Sequence, residues 1–315
     1  MKHILTPLAL TLIAAPALAQ DKMTVMLDWF INPDHGPIIL AEEKGYFTDA
    51  GLEVELISPA DPNDPPRMVA AGRVDLAVSY QPELHLAQRE GLDLRRVGTL
   101  VETPLTCLVV RADGPVKEMA DLKGRKVGFA VAGVQEMLLD AMLSHHGVAP
   151  SEVEQINIGW SISPALMSGQ VDGVIGAFRN FELNQMQIEG HEGRCFYPEA
   201  EGVPAYDELI YVAHAEDMDR EMIARFLRAT ERAAADIVND PAASGETFFA
   251  SDAELRNELN TRAWEDTWPR FATRPAAVDH GRYDRFEAFM QESGVVETVI
   301  SAADLVVDVT AQAKP

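Results

Sequence analysis

Cysteine is nearly absent from this 315-residue chain: Cys107 and Cys195 are the only two, and they are too far apart to form a CxxC redox or zinc motif. They read as two buried thiols, with a single structural disulfide as the alternative in an oxidising compartment. Basic side chains are also scarce. Lys and Arg total 26 against 50 Asp and Glu, a formal charge of −24, which argues against nucleic acid or an anionic membrane surface as a partner. Catalytic signatures are missing too. No GxSxG or HExxH occurs, and Gly128 to Gly133 lacks the Lys-Ser/Thr of a phosphate loop. His145-His146-Gly147 sits where His and Gly are ordinary helix-ending residues. Pro62, Pro65 and Pro66 break the calcium-loop spacing hinted at by Asp61, Asn63 and Asp64. Trp264 and Trp268, four apart, read as packing. Neither a metal nor a cofactor is expected.

What is present begins with an export signal. Lys2 supplies the positive start, Ile4 to Pro16 is mostly apolar but too short to span a bilayer, and Ala17-Leu18-Ala19 has the small-x-small form that signal peptidase cuts. Residues 1–19 are therefore expected to be removed, which places the rest in the periplasm. About 295 residues remain, enough for two lobes of ordinary domain size.

Strands and helices then alternate. Thr24 to Leu27 is a short apolar strand, and a helix from about His35 stops at Gly45. Leu52 to Leu56 alternates as a half-buried strand does. A helix ending at Gly72 feeds the near-continuous apolar strand Val74 to Ser79, the pattern of a buried parallel strand. The motif recurs: Gly72-Arg73-Val74-Asp75-Leu76 resembles Gly169-Gln170-Val171-Asp172-Gly173. Two copies about a hundred residues apart imply two similarly wound α/β lobes. The second starts at Asp121 to Phe129, a turn feeding a strand, and continues as helix 133–146, strand 153–158, helix 163–168, strand 171–177 and helix 181–189. The last hundred residues read as helices at 217–239, 252–268 and 279–292. The chain is expected to return to its first lobe there, crossing outward at Cys107 to Arg111 and back at Asp207 to Ala213. Lobe 1 is then 20–108 with 208–315, and lobe 2 is 109–207.

Several segments resemble a known family. Leu27-Asp28-Trp29-Phe30, Ala41-Glu42-Glu43-Lys44-Gly45-Tyr46-Phe47, Gly51-Leu52-Glu53-Val54 and Gly72-Arg73-Val74-Asp75 are similar to the thiamine-pyrimidine family. It contains periplasmic receptors for formylaminopyrimidine and fungal enzymes that make hydroxymethylpyrimidine phosphate. Ile175 to Glu182 and Gly202 to Leu209 resemble the receptors in particular. The resemblance implies a two-lobed periplasmic binding protein of type II, each lobe a doubly wound mixed sheet. The ligand is then held in the cleft and passed to an ABC permease with its ATPase, and the receptor acts as a monomer. The helix-Gly-Tyr-Phe opening is shared with sulfonate, nitrate and riboflavin receptors, which remain the alternative ligand classes.

The residues themselves point to a cleft at strand carboxyl ends, where doubly wound sheets bind ligands. Asp28 and Trp29 follow the first strand, Tyr80 and Gln81 the strand at 74–79, and Phe178, Asn180 and Glu182 the strand at 171–177. Aromatic side chains there can sandwich a flat ring, while Asp28, Asn180 and Glu182 meet its edges. Tyr206, near the return crossing, is expected to close one wall. An acidic, aromatic cleft favours an amine-bearing ring over an anion. The family's enzymes use a Lys and a His whose positions fall at Ser79 and Glu83, and a cysteine cluster whose place, Val203 to Asp207, holds no Cys. Ser cannot form a Schiff base, so the chain is expected not to be an enzyme.

Overall fold

Apolar runs too short for a core helix and bounded by turns become the interior strands of two sheets. The computed structural model describes residues 20–311, so the expected export signal at 1–19 lies outside the described residues. The strands are β1 (Asp21–Met26), β2 (Leu52–Ile57), β3 (Leu76–Tyr80), β4 (Leu94–Val101), β5 (Thr106–Arg111), β6 (Lys126–Phe129), β7 (Glu154–Asn157), β8 (Gly173–Phe178), β9 (Gly193–Phe196) and β10 (Leu209–His214). One sheet has the order β2-β1-β3-β10-β4, the other β7-β6-β8-β5-β9. The two are wound alike. β10 runs antiparallel to β3 and β4, and β5 antiparallel to β8 and β9, so each sheet carries one reversed strand in fourth place. In both, it is the first strand after the chain arrives from the other lobe.

This corrects the expected crossings. Thr106–Arg111 and Leu209–His214 are buried along almost their whole length. An apolar run buried on both faces needs a hydrogen-bonded neighbour on each side, so both are central strands rather than links. The outward passage falls at 102–105 and the return before Leu209. Arg282 touches both passages, donating to Glu102 O at 2.7 Å and to the Asp207 carboxylate. β4 escaped the sequence reading because Arg95 and Arg96 interrupt its apolar run. Arg96 is nevertheless 1% exposed, and its guanidinium donates to Thr99 Oγ1 and to the carbonyls of Pro275 and Ala277.

The helical tail also differs from expectation. Asp240-Pro241 ends helix Arg220–Asn239, and it also starts another, Pro241–Ser251, because the Asp240 carboxylate accepts from Ala243 N and Pro suits the first turn. Helices Glu258–Thr267 and His280–Glu292 follow. Phe226 and Leu227 bury themselves against helix Gly36–Glu43 and the first sheet, each contributing about 1.5–3 kcal/mol. Helix His280–Glu292 serves both lobes. Tyr283 packs with Ile210 and Val212, whereas Phe286 and Met290 pack with Leu138, Met142 and Tyr206. Among the described residues, no helix is long and apolar enough to cross a membrane.

The cysteines are not free. Cys107 and Cys195 form a disulfide across a sequence separation of 88, with Cα atoms 5.6 Å apart. β5 pairs with β9 in the register Val109 to Cys195, which brings the two together; spacing along the chain carries no sign of that pairing. A link closing so long a loop is worth about 2–4 kcal/mol. The double variant Cys107→Ser/Cys195→Ser is therefore expected to lose about that much in urea unfolding, and the native protein to show no titratable thiol. A native chain with two reactive thiols would contradict the linkage.

Candidate functional site

The carboxyl ends of β1, β3 and β8 converge between the sheets on a hollow of about 410 Å³, counted to its open mouth. From the first lobe, the chain leaves β1 into Asp28 and Trp29, then turns through Asn32, whose side chain caps the short turn Pro33–His35 by accepting from Asp34 N. That cap aims Asp34 into the hollow. From the second lobe come Phe178 at the end of β8, then Phe181 and Glu182 at the start of helix Glu182–Ile188.

Asp28 is fully engaged. His35 Nδ1 accepts the Asn32 N–H at 3.3 Å, so the proton resides on Nε2, which donates to Asp28 Oδ1 at 2.9 Å. The Tyr80 hydroxyl donates to Oδ2 at 2.9 Å. Burial, with the Asp28 charge beside it, holds the Tyr80 phenol far above its usual range. Asp34 Oδ1 accepts from Asn180 Nδ2 at 2.6 Å, and burial pushes its carboxyl up to about 6. Glu182 Oε2 accepts from Phe178 N at 2.6 Å. Burial, reinforced by Asp34, lifts its carboxyl to about 8. The second oxygens of Asp34 and Glu182 have no partner among the described residues. Among the described residues, no Lys or Arg lines the hollow.

Asp28, Trp29, Tyr80, Phe178 and Glu182 thus line one cavity. Three other expected contacts face elsewhere. Asn180 is 1% exposed and spends its amide hydrogens on Asp34 and on Thr267 Oγ1 of helix Glu258–Thr267, both at 2.6 Å; it holds the lobes together behind the wall. Gln81 is wholly buried: neighbours at a strand end face opposite ways, so Tyr80 takes the cleft. Gln81 accepts the Asp207 N–H at 2.8 Å and contacts His85, pinning the return passage. Tyr206 borders an adjoining void with Thr106 and Glu208.

Other cleft residues were missed. Gln135 and Ile162 also line the hollow. Trp160 reaches across from the second lobe to Trp29 and Phe30, with ring centroids 4.2 and 4.6 Å apart. Trp160 could have been found, since it follows β7 as Trp29 follows β1. Asn63, in the turn once weighed for calcium, accepts the Ala132 N–H from the other lobe at 2.8 Å. Asn184 donates to Asp266 at 2.8 Å on the opposite side. Ser79 donates its hydroxyl to Glu83 at 2.6 Å.

The profile of the NMT1/THI5-like family matches residues 32–244. A Haemophilus influenzae protein named for thiamine biosynthesis is 46% identical over 299 residues, covering 95% of each chain. The formylaminopyrimidine-binding protein of Halalkalibacterium halodurans is 33% identical over 71% of this chain and 68% of its own. A 4-amino-5-hydroxymethyl-2-methylpyrimidine phosphate synthase of Schizosaccharomyces pombe is 27% identical over 81% and 77%. In fold, the chain superposes on the periplasmic aliphatic sulphonate-binding protein of Escherichia coli with a TM-score of 0.72 at 17% identity, covering 93% and 94%. The architecture is that of periplasmic binding proteins.

The raised acid of Glu182 has a consequence for stability. Its value is about 8 in the fold against an ordinary 4.5, so between those pH values the folded chain holds a proton that the unfolded chain has released. The stabilisation is complete below about 4.5 and is lost as pH rises through 8. The melting temperature of the ligand-free protein should fall from pH 5 to pH 8, and more steeply in wild type than in Glu182→Gln. Parallel slopes would show that Glu182 does not titrate there.

Proposed function

The chain belongs to the NMT1/THI5-like family, and from that premise we propose that it is the periplasmic receptor of an ABC importer, binding an amine-bearing pyrimidine precursor of thiamine between its lobes. The observation that carries this reading is the hollow's combination of buried carboxylates and aromatic rings with no cation among its lining residues. A sulfonate or nitrate needs Arg, Lys or an open helix N-terminus. Here Asp34 and Glu182 each present an oxygen to the hollow, and Glu182, which holds a proton in the ligand-free cleft, would pass it to the ring nitrogen, leaving two acceptors for an exocyclic amine beside a protonated ring nitrogen. Trp29, Tyr80 and Phe178 supply faces for a flat ring; Tyr80 and Phe178 stand edge to face with centroids 6.4 Å apart.

Binding without turnover fits the same residues. On the resemblance, the synthases' Lys position falls at Ser79 and their His position at Glu83, and Ser has no amine to offer a carbonyl. Export by residues 1–19 would put the receptor where a permease with its ATPase could receive the ligand. The lobes would part about the passages at 102–105 and before Leu209, breaking the Asn63 and Asn180 contacts, and close again on the ligand.

Calorimetry with formylaminopyrimidine tests the reading. Wild type should bind it. Trp29→Ala should weaken binding about tenfold to a hundredfold, the usual cost of losing one aromatic stacking partner. Glu182→Gln should lose affinity for the 4-amino ring but little for the same ring without its amine, because only the former leaves a donor unpaired. Absence of wild-type binding would overturn the proposal, and equal losses for both rings would return Glu182 to a merely structural role.

A further inference from the structure

On one side the lobes meet through aromatic rings. Trp29 and Phe30 leave β1 together, and Phe30 O accepts Asn32 Nδ2 at 3.0 Å, which fixes the turn that presents both rings. In the second lobe β7 ends at Asn157, whose Oδ1 accepts Gly159 N at 2.9 Å. Gly159 has φ +49°, a left-handed conformation that costs glycine little. The turn sends Ile158 into the second lobe's core and sets Trp160 against the first lobe. Trp160 stands 63° from the plane of Trp29 and 35° from that of Phe30, while Trp29 and Phe30 have centroids 5.9 Å apart. The three rings form a closed triangle built from both lobes.

Trp29 faces two ways. Its ring lines the hollow, and it also packs against the second lobe's core beside Ile158 and Ile162. Trp160 stands outside the hollow's lining, so it would reach a bound ring only through Trp29. The face on which a ligand would stack is therefore held in place by the opposite lobe. Several other contacts across the cleft are of a different kind. Asn63 with Ala132, Asn184 with Asp266 and Arg262 with Gln187 are hydrogen bonds at exposed positions, and water replaces such bonds as the lobes part. Rings have no such substitute, so parting them returns apolar surface to water. Phe30 remains 51% exposed even with the lobes in contact, which puts the triangle at the rim, between the hollow and solvent.

Resting on the reading of the hollow as an interlobe ligand site, we propose that Trp160 is a positioning residue. It clasps Trp29 and Phe30 when the lobes close, fixes the Trp29 ring against the ligand and sets how fast the ligand escapes. The stacking platform is complete only in the closed form, so the contribution of Trp29 to affinity depends on Trp160.

Release of radiolabelled formylaminopyrimidine from the full chain, chased with unlabelled compound, tests this. Trp160→Ala should raise koff about tenfold and leave kon within about twofold. Trp160→Phe keeps a ring and should restore most of the difference. The double variant Trp29→Ala/Trp160→Ala should release the ligand little faster than Trp29→Ala alone, because without the platform the clasp has nothing to position. An unchanged koff in Trp160→Ala, or effects that add in the double variant, would overturn the inference and leave the aminopyrimidine reading standing. If wild type does not retain formylaminopyrimidine, that reading falls, and small-angle scattering without ligand judges the clasp. Trp160→Ala should then show a larger radius of gyration than wild type, and equal radii would overturn the clasp as well.

Discussion

The cleft depends on one buried carboxylate. Asp34 belongs to the first lobe, yet it accepts the amide of Asn180 from the second, and Asn180 in turn holds Thr267 of the tail. Three separated parts of the chain meet there. A charge-assisted bond in a water-poor place is stronger than its exposed equivalent, and removing one partner leaves the other buried and unsatisfied. The position of Asp34 is set locally by the Asn32 cap and by Pro33. A three-residue turn thus determines where the second lobe can rest, and the Asp34 charge helps keep Glu182 protonated.

On the proposed function, the same acids would give the cleft its selectivity. Carboxylates out of water and without a cation resist ionisation, which is why Asp34 and Glu182 hold protons to about pH 6 and 8. A ligand that brings its own positive character relieves that cost, whereas an anion adds to it. The fold is shared with a periplasmic aliphatic sulphonate-binding protein, so on the proposed function the discrimination would lie in the lining and not in the scaffold.

Sequence reasoning reached the scaffold and about half of the cleft. Strands with a strong period or a continuous apolar run, such as Leu52–Ile57 and Gly173–Phe178, were legible because burial dictates their composition. β4 was hidden by Arg96, a buried charge whose carbonyl partners lie far along the chain at Pro275 and Ala277. Trp29, Tyr80, Phe178 and Glu182 were found through one topological rule. Gln81 and Asn180 satisfy the same rule in sequence, and Tyr206 was placed by the return crossing, but their side chains are claimed by long-range partners or turned to another void. Asp34, Gln135 and the Cys107–Cys195 bond depend on contacts between distant segments, which no local pattern encodes.

Helix His280–Glu292 carries a further implication for how this molecule can be taken apart. Phe286 and Met290 fill the core around Leu138 and Met142, while Tyr283 and Glu287 remain anchored to the first lobe. The second lobe is therefore not a contiguous gene fragment. A piece cut at the two passages would expose the apolar seat of Phe286 and invite self-association. A chain ending before His280 would leave both lobes with unfilled cores. Evolutionary recombination of lobes between such proteins faces the same restriction: an exchanged second lobe must accept a helix that begins 84 residues beyond its own last strand, from Phe196 to His280.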